Sequence, residues 1–411
     1  MKRTVVVTVA LFATGGLSAL SSCTQEDEAA TSQRVIEKGG DERTGEYNAV
    51  PGWWKPAPDH DETWTWGAIG GVAADTPDRI IIGHWGDRAF PGGAASFERR
   101  PVSSNYLVAV DGDGNVIERW SQWDSILNVP HQIYISPYDP ERHVWVTEFG
   151  SDERGIHQQI LKFSNDGSRL VMQLRDPNPV GTREEARANR SPGPLDFGNP
   201  ASLAFLPDGS FLLADGYWNT RIVKYNADGE YMMEWGELGT GPGQFDLLHG
   251  VDVDRDGRVY VADRGNSRIQ VFTSEGEYIE EWPDVFFPVD ISVDENDAVW
   301  VVSALLNRIM KYNTRGELQY TWGTYGFTGP VFRPSGVEDG FGPSGSPEEW
   351  REATGVSATA RAPGGMNRPH QLDVDQDGNL YLVNWTSGHV DKFVPKPNAD
   401  PSKLVGRSLG Y

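Results

Sequence analysis

Apolar and polar residues alternate with a period of two over runs of about five residues, and Asp-Gly or Asn-containing turns separate the runs. One stretch shows the unit in full. Gly250-Val251-Asp252-Val253-Asp254 leads through Asp256-Gly257 to Val259-Tyr260-Val261-Ala262-Asp263, then to Asn266 and Arg268-Ile269-Gln270-Val271-Phe272, and through Glu275-Gly276 to Glu281-Trp282. Alternation puts one face of each run on a core, and turns of this chemistry join neighbouring runs as hairpins. The unit therefore predicts four short antiparallel strands. It returns in Ser202 to Trp235 and in Asp290 to Trp322, more weakly in Gln132 to Leu174 and Gln371 to Val394, and a first copy starts at Gly71.

Six such units in a row predict an all-β fold, a six-bladed β-propeller of four-stranded antiparallel blades. One unit cannot bury both of its faces alone, and radial packing buries them all. The last copy lacks an outer strand. Thr63-Trp64-Thr65-Trp66-Gly67 echoes Tyr320-Thr321-Trp322-Gly323 and Met233-Glu234-Trp235-Gly236, so an N-terminal strand at Thr63 to Gly67 is expected to pair near His389 to Phe393 and close the ring. A seventh blade is the rival architecture, with residues 324–365 the place to hide it. Their Gly, Pro and Ser content and lack of alternation favour a long insert. The propeller domain is placed at 51–411, with inserts at 84–104, 176–197 and 324–365.

Charge narrows the partners. Lys and Arg number 36 against 59 Asp and Glu, a formal charge of −23, which excludes a general nucleic-acid binder. Residues 1–23 begin with Lys2-Arg3, run through an apolar stretch from Val5 to Ala13 and end at Leu20-Ser21-Ser22-Cys23. That pattern is a secretory signal too short to span a membrane. Small residues before the chain's single cysteine resemble a bacterial lipobox, which makes Cys23 the lipidation site; a plain signal cut nearby is the other reading. Residues 24–50 read as a polar, flexible tether. The chain is thus expected outside the cytoplasm, on the envelope, touching membrane only through its lipid.

With one cysteine, no thiolate cage can form, so a metal must take imidazole or oxygen ligands. Aligning the copies on their first strand places Gly70, His131, Ala201, His249, Val289 and His370 at one register. Histidine alternates, in copies two, four and six. Those blades lie about 120° apart with their innermost strands near the axis, so three imidazoles are expected to converge there. Three neutral nitrogens with an open position suit zinc or another divalent transition metal. A second register, the loop after the second strand, carries Trp85, Phe149, Tyr217, Arg264, Ala304 and Trp385. Tyr217 beside a cation and a guanidinium would suit a base, and Arg264 a carboxylate anchor. Arg221, Arg268 and Arg308 recur before an Ile and read as structural. His84 sits at the rim of the first blade.

The chain resembles the NHL-repeat propellers and, within them, the peptidyl-α-hydroxyglycine α-amidating lyases. The resemblance is carried by Asp215-Gly216-Tyr217-Trp218-Asn219-Thr220-Arg221-Ile222-Val223, by Gly243-Gln244-Phe245 with Leu248-His249, and by Pro130-His131 and Pro369-His370. It implies that His131, His249 and His370 bind zinc, that Tyr217 is the base on an α-hydroxyl, and that Arg264 holds the substrate carboxylate. Carbon–nitrogen cleavage of a small-molecule or peptide-terminus substrate would then release an amide and glyoxylate. Three positions depart from the family. Trp85 stands where a catalytic Arg is expected, which would leave Arg88 to substitute. Gln371 replaces a calcium-binding Asp, so calcium is weakly supported, and Arg368 replaces a Met.

Two other functions fit the sequence: a non-catalytic propeller that binds a protein or glycan through its aromatic rim, and a propeller hydrolase using the same cation to activate water. For the anchor, Cys23→Ser is expected to shift the protein from the membrane to the soluble fraction. Unchanged fractionation of that variant would count against lipidation.

Overall fold

Short alternating runs become blades because each can satisfy its backbone only against a neighbour and bury its apolar side chains only against the next sheet. The computed structural model describes residues 43–59, 65–66, 68–88, 104–149, 158–175, 184, 192–323, 364–385 and 388–409, with the backbone alone for Thr65, Asp87 and Arg88. Six four-stranded antiparallel sheets follow one another along them. The fourth blade is typical, with strands Leu248–Val253, Val259–Asp263, Arg268–Phe272 and Tyr278–Trp282. Inner strands are buried at nearly every position, whereas the outermost strand is exposed up to Trp282. No seventh sheet of this kind occurs among the described residues.

Two local devices repeat. At the first hairpin of blade four, Asp254 accepts from the Asp256 and Arg258 amides at 3.0 and 2.9 Å and from the Tyr260 hydroxyl at 2.8 Å. Asp375 does the same for Asp377, Asn379 and Tyr381 in blade six, and Asp294 for Asn296, Ala298 and Trp300 in blade five. One carboxylate thus fixes both the turn and the side chain six residues on. The second device is an ion pair: Arg221 reaches Asp215 at 3.0 Å and Glu234 at 2.8 Å, and Arg268 reaches Asp263 and Glu281 at 2.8 and 2.6 Å. These arginines are structural. Arg308 is fully buried at the same position of blade five, where Ser303 replaces the aspartate.

Polar side chains near the axis stitch one blade to the next. Asp252 of blade four accepts the Val293 amide of blade five at 2.7 Å, and Asp373 of blade six accepts the Ala74 amide of blade one at 2.7 Å. Gln371 accepts the amides of Val72 and Ile133 at 3.0 and 3.2 Å and donates to the Ile133 carbonyl at 2.8 Å. One side chain thereby joins blades six, one and two.

An N-terminal strand closes the ring, but not at Thr63 to Gly67. Tyr47–Ala49 pairs antiparallel with Phe393–Pro395 at the outer edge of blade six. Thr65–Trp66 pairs instead with Asp87–Arg88, and Trp66 stacks on Trp54 at 4.3 Å. Packing explains the choice: Tyr47 is fully buried, 5.7 Å from Trp322 and 6.3 Å from Phe393, in the seam between blades five and six. The expected tether at 24–50 therefore ends inside the fold, while residues 24–42 and Cys23 lie outside the described residues. So do most of the expected inserts.

Tyr47→Ala is expected to cost about 3–5 kcal/mol of unfolding free energy, as for other buried large-to-Ala changes. Deleting residues 1–49 should lower the melting temperature sharply, and deleting 1–42 should not. Equal melting temperatures for the two truncations would place the closing strand elsewhere.

Candidate metal centre

At the start of each innermost strand the chain turns toward the axis, and this is where the alternate histidines sit. His131, His249 and His370 are buried, with ring centroids 4.7 to 4.9 Å apart. Their ligand atoms all lie within 4.8 Å of one another. Each Nδ1 contacts a main-chain carbonyl of the following blade: His131 with Ala201 at 2.7 Å, His249 with Val289 at 2.6 Å and His370 with Gly70 at 2.8 Å. The carbonyls can only accept, so each Nδ1 carries the proton and donates it. All three Nε2 lone pairs are left for the axis. The residues that accept are those of the same register in blades three, five and one, so all six blades build the site.

Tyr217 enters from blade three. Its hydroxyl lies 3.0 Å from His131 Nε2 and 2.8 Å from His249 Nε2. One phenolic hydrogen cannot satisfy three converging lone pairs, and a divalent cation can. The donor set is nitrogen only, borderline in softness, with Nδ1 bonds that fix each ring, which fits zinc or a similar transition ion. Arg264 Nη1 donates to the Tyr217 hydroxyl at 3.4 Å, and its guanidinium lies 4.7 Å from the Tyr217 ring and 5.3 Å from that of Phe287.

The electrostatics follow from burial. Desolvation pushes all three imidazoles below their ordinary range, His370 to about 4, and Arg264 pushes each the same way. Neighbouring imidazoles add to this at His131 and His249, and the carbonyl bonds partly oppose it. Burial also raises Tyr217, against the pull of Arg264. Neutral imidazole and neutral phenol are thus the resting forms around neutral pH.

A cavity of about 190 Å³ opens over His131 and His370. Its walls include the whole second register: Trp85, Phe149, Tyr217, Arg264, Ala304 and Trp385. Gly70, Val129, His131, Phe287, Val289, Leu305, Arg368 and His370 complete the lining among the described residues. Phe287 and Leu305 were invisible to register counting, since they precede the first strand and follow the second in blade five. Arg88 is described only through its backbone pairing with Thr65, and whether its side chain reaches the chamber falls outside the described residues. His84 is fully buried against Trp66 at 4.8 Å, in edge-to-face packing rather than at the centre. His143 is paired with Asp139 at 2.6 Å and His389 with Asp391 at 3.3 Å, both away from the chamber. His60 and His157 lie outside the described residues. Where the resemblance has a calcium-binding Asp, the Gln371 amide makes the three interblade bonds already given.

In the metal-free protein none of the three imidazoles is expected to take up a proton between pH 8 and about pH 5, because a folded-state pKa near 4 at His370 keeps the ligand form present well below 6.5. Nitrogen NMR of the rings against pH checks this. A titration near 6.5 would mean that the centre is wet and open.

Comparison with known proteins is consistent with this frame. The NHL repeat profile matches residues 245–272, most of blade four. The human NHL repeat-containing protein 3 is 34% identical over 226 residues, covering 54% of this chain and 55% of that one. Peptidyl-alpha-hydroxyglycine alpha-amidating lyase 1 of Drosophila melanogaster is 29% identical over 181 residues, 42% of this chain and 29% of its own. A solved structure from Bacteroides thetaiotaomicron, of a protein of unknown function, superposes with a TM-score of 0.51 at 11% identity over 85% of this chain and 75% of its own, which bears on the fold alone. The chain spans little more than half of the human relative it matches and less than a third of the Drosophila lyase. The chain is a six-bladed β-propeller that carries an NHL-repeat match in its fourth blade and is similar in sequence to NHL repeat-containing protein 3 and to the amidating lyases.

Proposed function

We propose that this protein is an exported, lipid-anchored, metal-dependent lyase that cleaves the carbon–nitrogen bond of a small α-hydroxyglycine-type substrate to give an amide and glyoxylate. The observation that carries the reading is the Tyr217 hydroxyl, held within 3.0 Å of two of the three clustered imidazoles and touched by Arg264. His131, His249 and His370 would hold the ion through Nε2. When bound, a divalent cation such as zinc supplies Lewis acidity and lowers the pKa of oxygen acids beside it.

The chain's own groups then have distinct tasks. Arg264 offers the planar fork that a carboxylate recognises, and Trp85, Phe149 and Trp385 exclude water from the chamber. Tyr217, as phenolate, takes the α-hydroxyl proton. The freed electron pair forms the aldehyde C=O, the C–N bond breaks, and the amide nitrogen picks up a proton, so that the hydroxyglycine yields one amide and one glyoxylate. Burial opposes phenolate formation and the Arg264 charge favours it, so turnover should rise with pH as the phenol ionises.

Tyr217→Phe is expected to keep metal and fold but to slow turnover about 10²-fold or more, the loss typical of a positioned general base. Assays of glyoxylate release from α-hydroxyhippurate, with metal content measured on the same samples, test this. Full turnover in Tyr217→Phe would remove tyrosine as the base. A wild-type protein that is metal-free and indifferent to added zinc would favour the non-catalytic binding module instead.

A further inference from the structure

Two imidazoles, those of His131 and His370, one phenol and two guanidiniums face the chamber, and no Asp or Glu is among the described residues that line it. In a chain of net charge −23, this is a locally cationic pocket. Its two arginines stand apart. Arg264 follows the second strand of blade four, and Arg368 precedes the first strand of blade six, with Ala304 and Leu305 of blade five between them.

Arg368 is placed with care. It is 5% exposed, and its backbone is left-handed at φ 52°, a conformation that costs a branched or bulky residue energy and that the surroundings must impose. Its amide donates to Asn307 Oδ1 at 2.9 Å, and its carbonyl accepts the Trp385 amide at 3.2 Å. Those bonds tie it to blade five and to the aromatic wall. Blade six lies across the ring from blade three, so the side chain enters on the side opposite Tyr217. The chamber, about 190 Å³, is smaller than the roughly 300–1,000 Å³ of ordinary ligand pockets, so its occupant is compact.

We propose that Arg368 is a second anion-binding group of this chamber, and that the chamber takes small organic dianions whose two acidic groups are divided between Arg264 and Arg368. Guanidinium is the natural partner for each carboxylate because its fork donates two parallel hydrogen bonds. This rests on the lyase reading in one respect: for a hydroxyglycine substrate, the second acidic group would lie on the amide side of the scissile bond.

The test is isothermal titration of the purified full chain, metal content measured, with succinate and with butyrate at one ionic strength. Succinate is expected to bind at least about 10-fold more tightly, the scale of one added charge-assisted contact. R368Q should bring succinate to the level of butyrate while leaving butyrate within about twofold, and R368K should restore part of the difference. No preference in the wild type would overturn the proposal. So would a preference that survives R368Q, since the second carboxylate would then be held by something else. Neither probe reacts, so the preference can hold while lyase assays fail, which would sink the lyase reading alone. Should R368Q not fold, the wild-type comparison and R368K still decide.

Discussion

A ring of packed sheets has one constraint that no single blade can meet: the last must find the first. Here the constraint is met by three residues, Tyr47–Ala49, whose pairing with Phe393–Pro395 joins the two ends of the described chain. Tyr47 makes that pairing specific by filling the seam against Trp322 and Phe393. Everything on the axis depends on it. The contact between His370 and Gly70 spans 300 residues, and those from Gln371 to Val72 and Ile133 span 299 and 238. None of these exists in an open arc.

The axis is polarised. At one end are nitrogen acceptors, a phenol and two guanidiniums; further along the same strands come carboxyls. Burial raises Asp252 to about 7 and Asp373 to about 6, and Asp290 well above its ordinary value, even though amides of the next blade donate to each. Their hydrogen bonds hold blades together, whereas those of the histidine end aim side chains at a ligand. The same inter-blade geometry, repeated a few residues apart, thus serves cohesion at one level and chemistry at the other.

Much of this was legible because a propeller turns sequence periodicity into angular position. Register alone brought His131, His249 and His370 together on paper, and placed Tyr217 and Arg264 beside them, since each blade repeats one backbone path. What register could not see was anything that breaks the repeat. The Trp-Gly echo at Trp66 mimics an outer strand, yet its neighbours are Trp54 and His84, and the true closing strand is too short to show alternation. Phe287 and Arg368 lie in connections whose lengths differ between blades. For Arg368 the only signal was a departure from a family pattern, with nothing in it to say that the side chain faces the chamber.

The six-blade construction of the histidine cluster also fixes the order in which the finished protein is assembled. Each imidazole is aimed by a carbonyl that belongs to the following blade, and the third carbonyl, that of Gly70, becomes a neighbour of His370 only when the two ends of the chain have met. A nascent or half-folded chain therefore offers an ion nothing better than scattered histidines. Metallation would be a maturation step, carried out on a completed toroid through its mouth and dependent on the ions of whichever compartment folding finishes in.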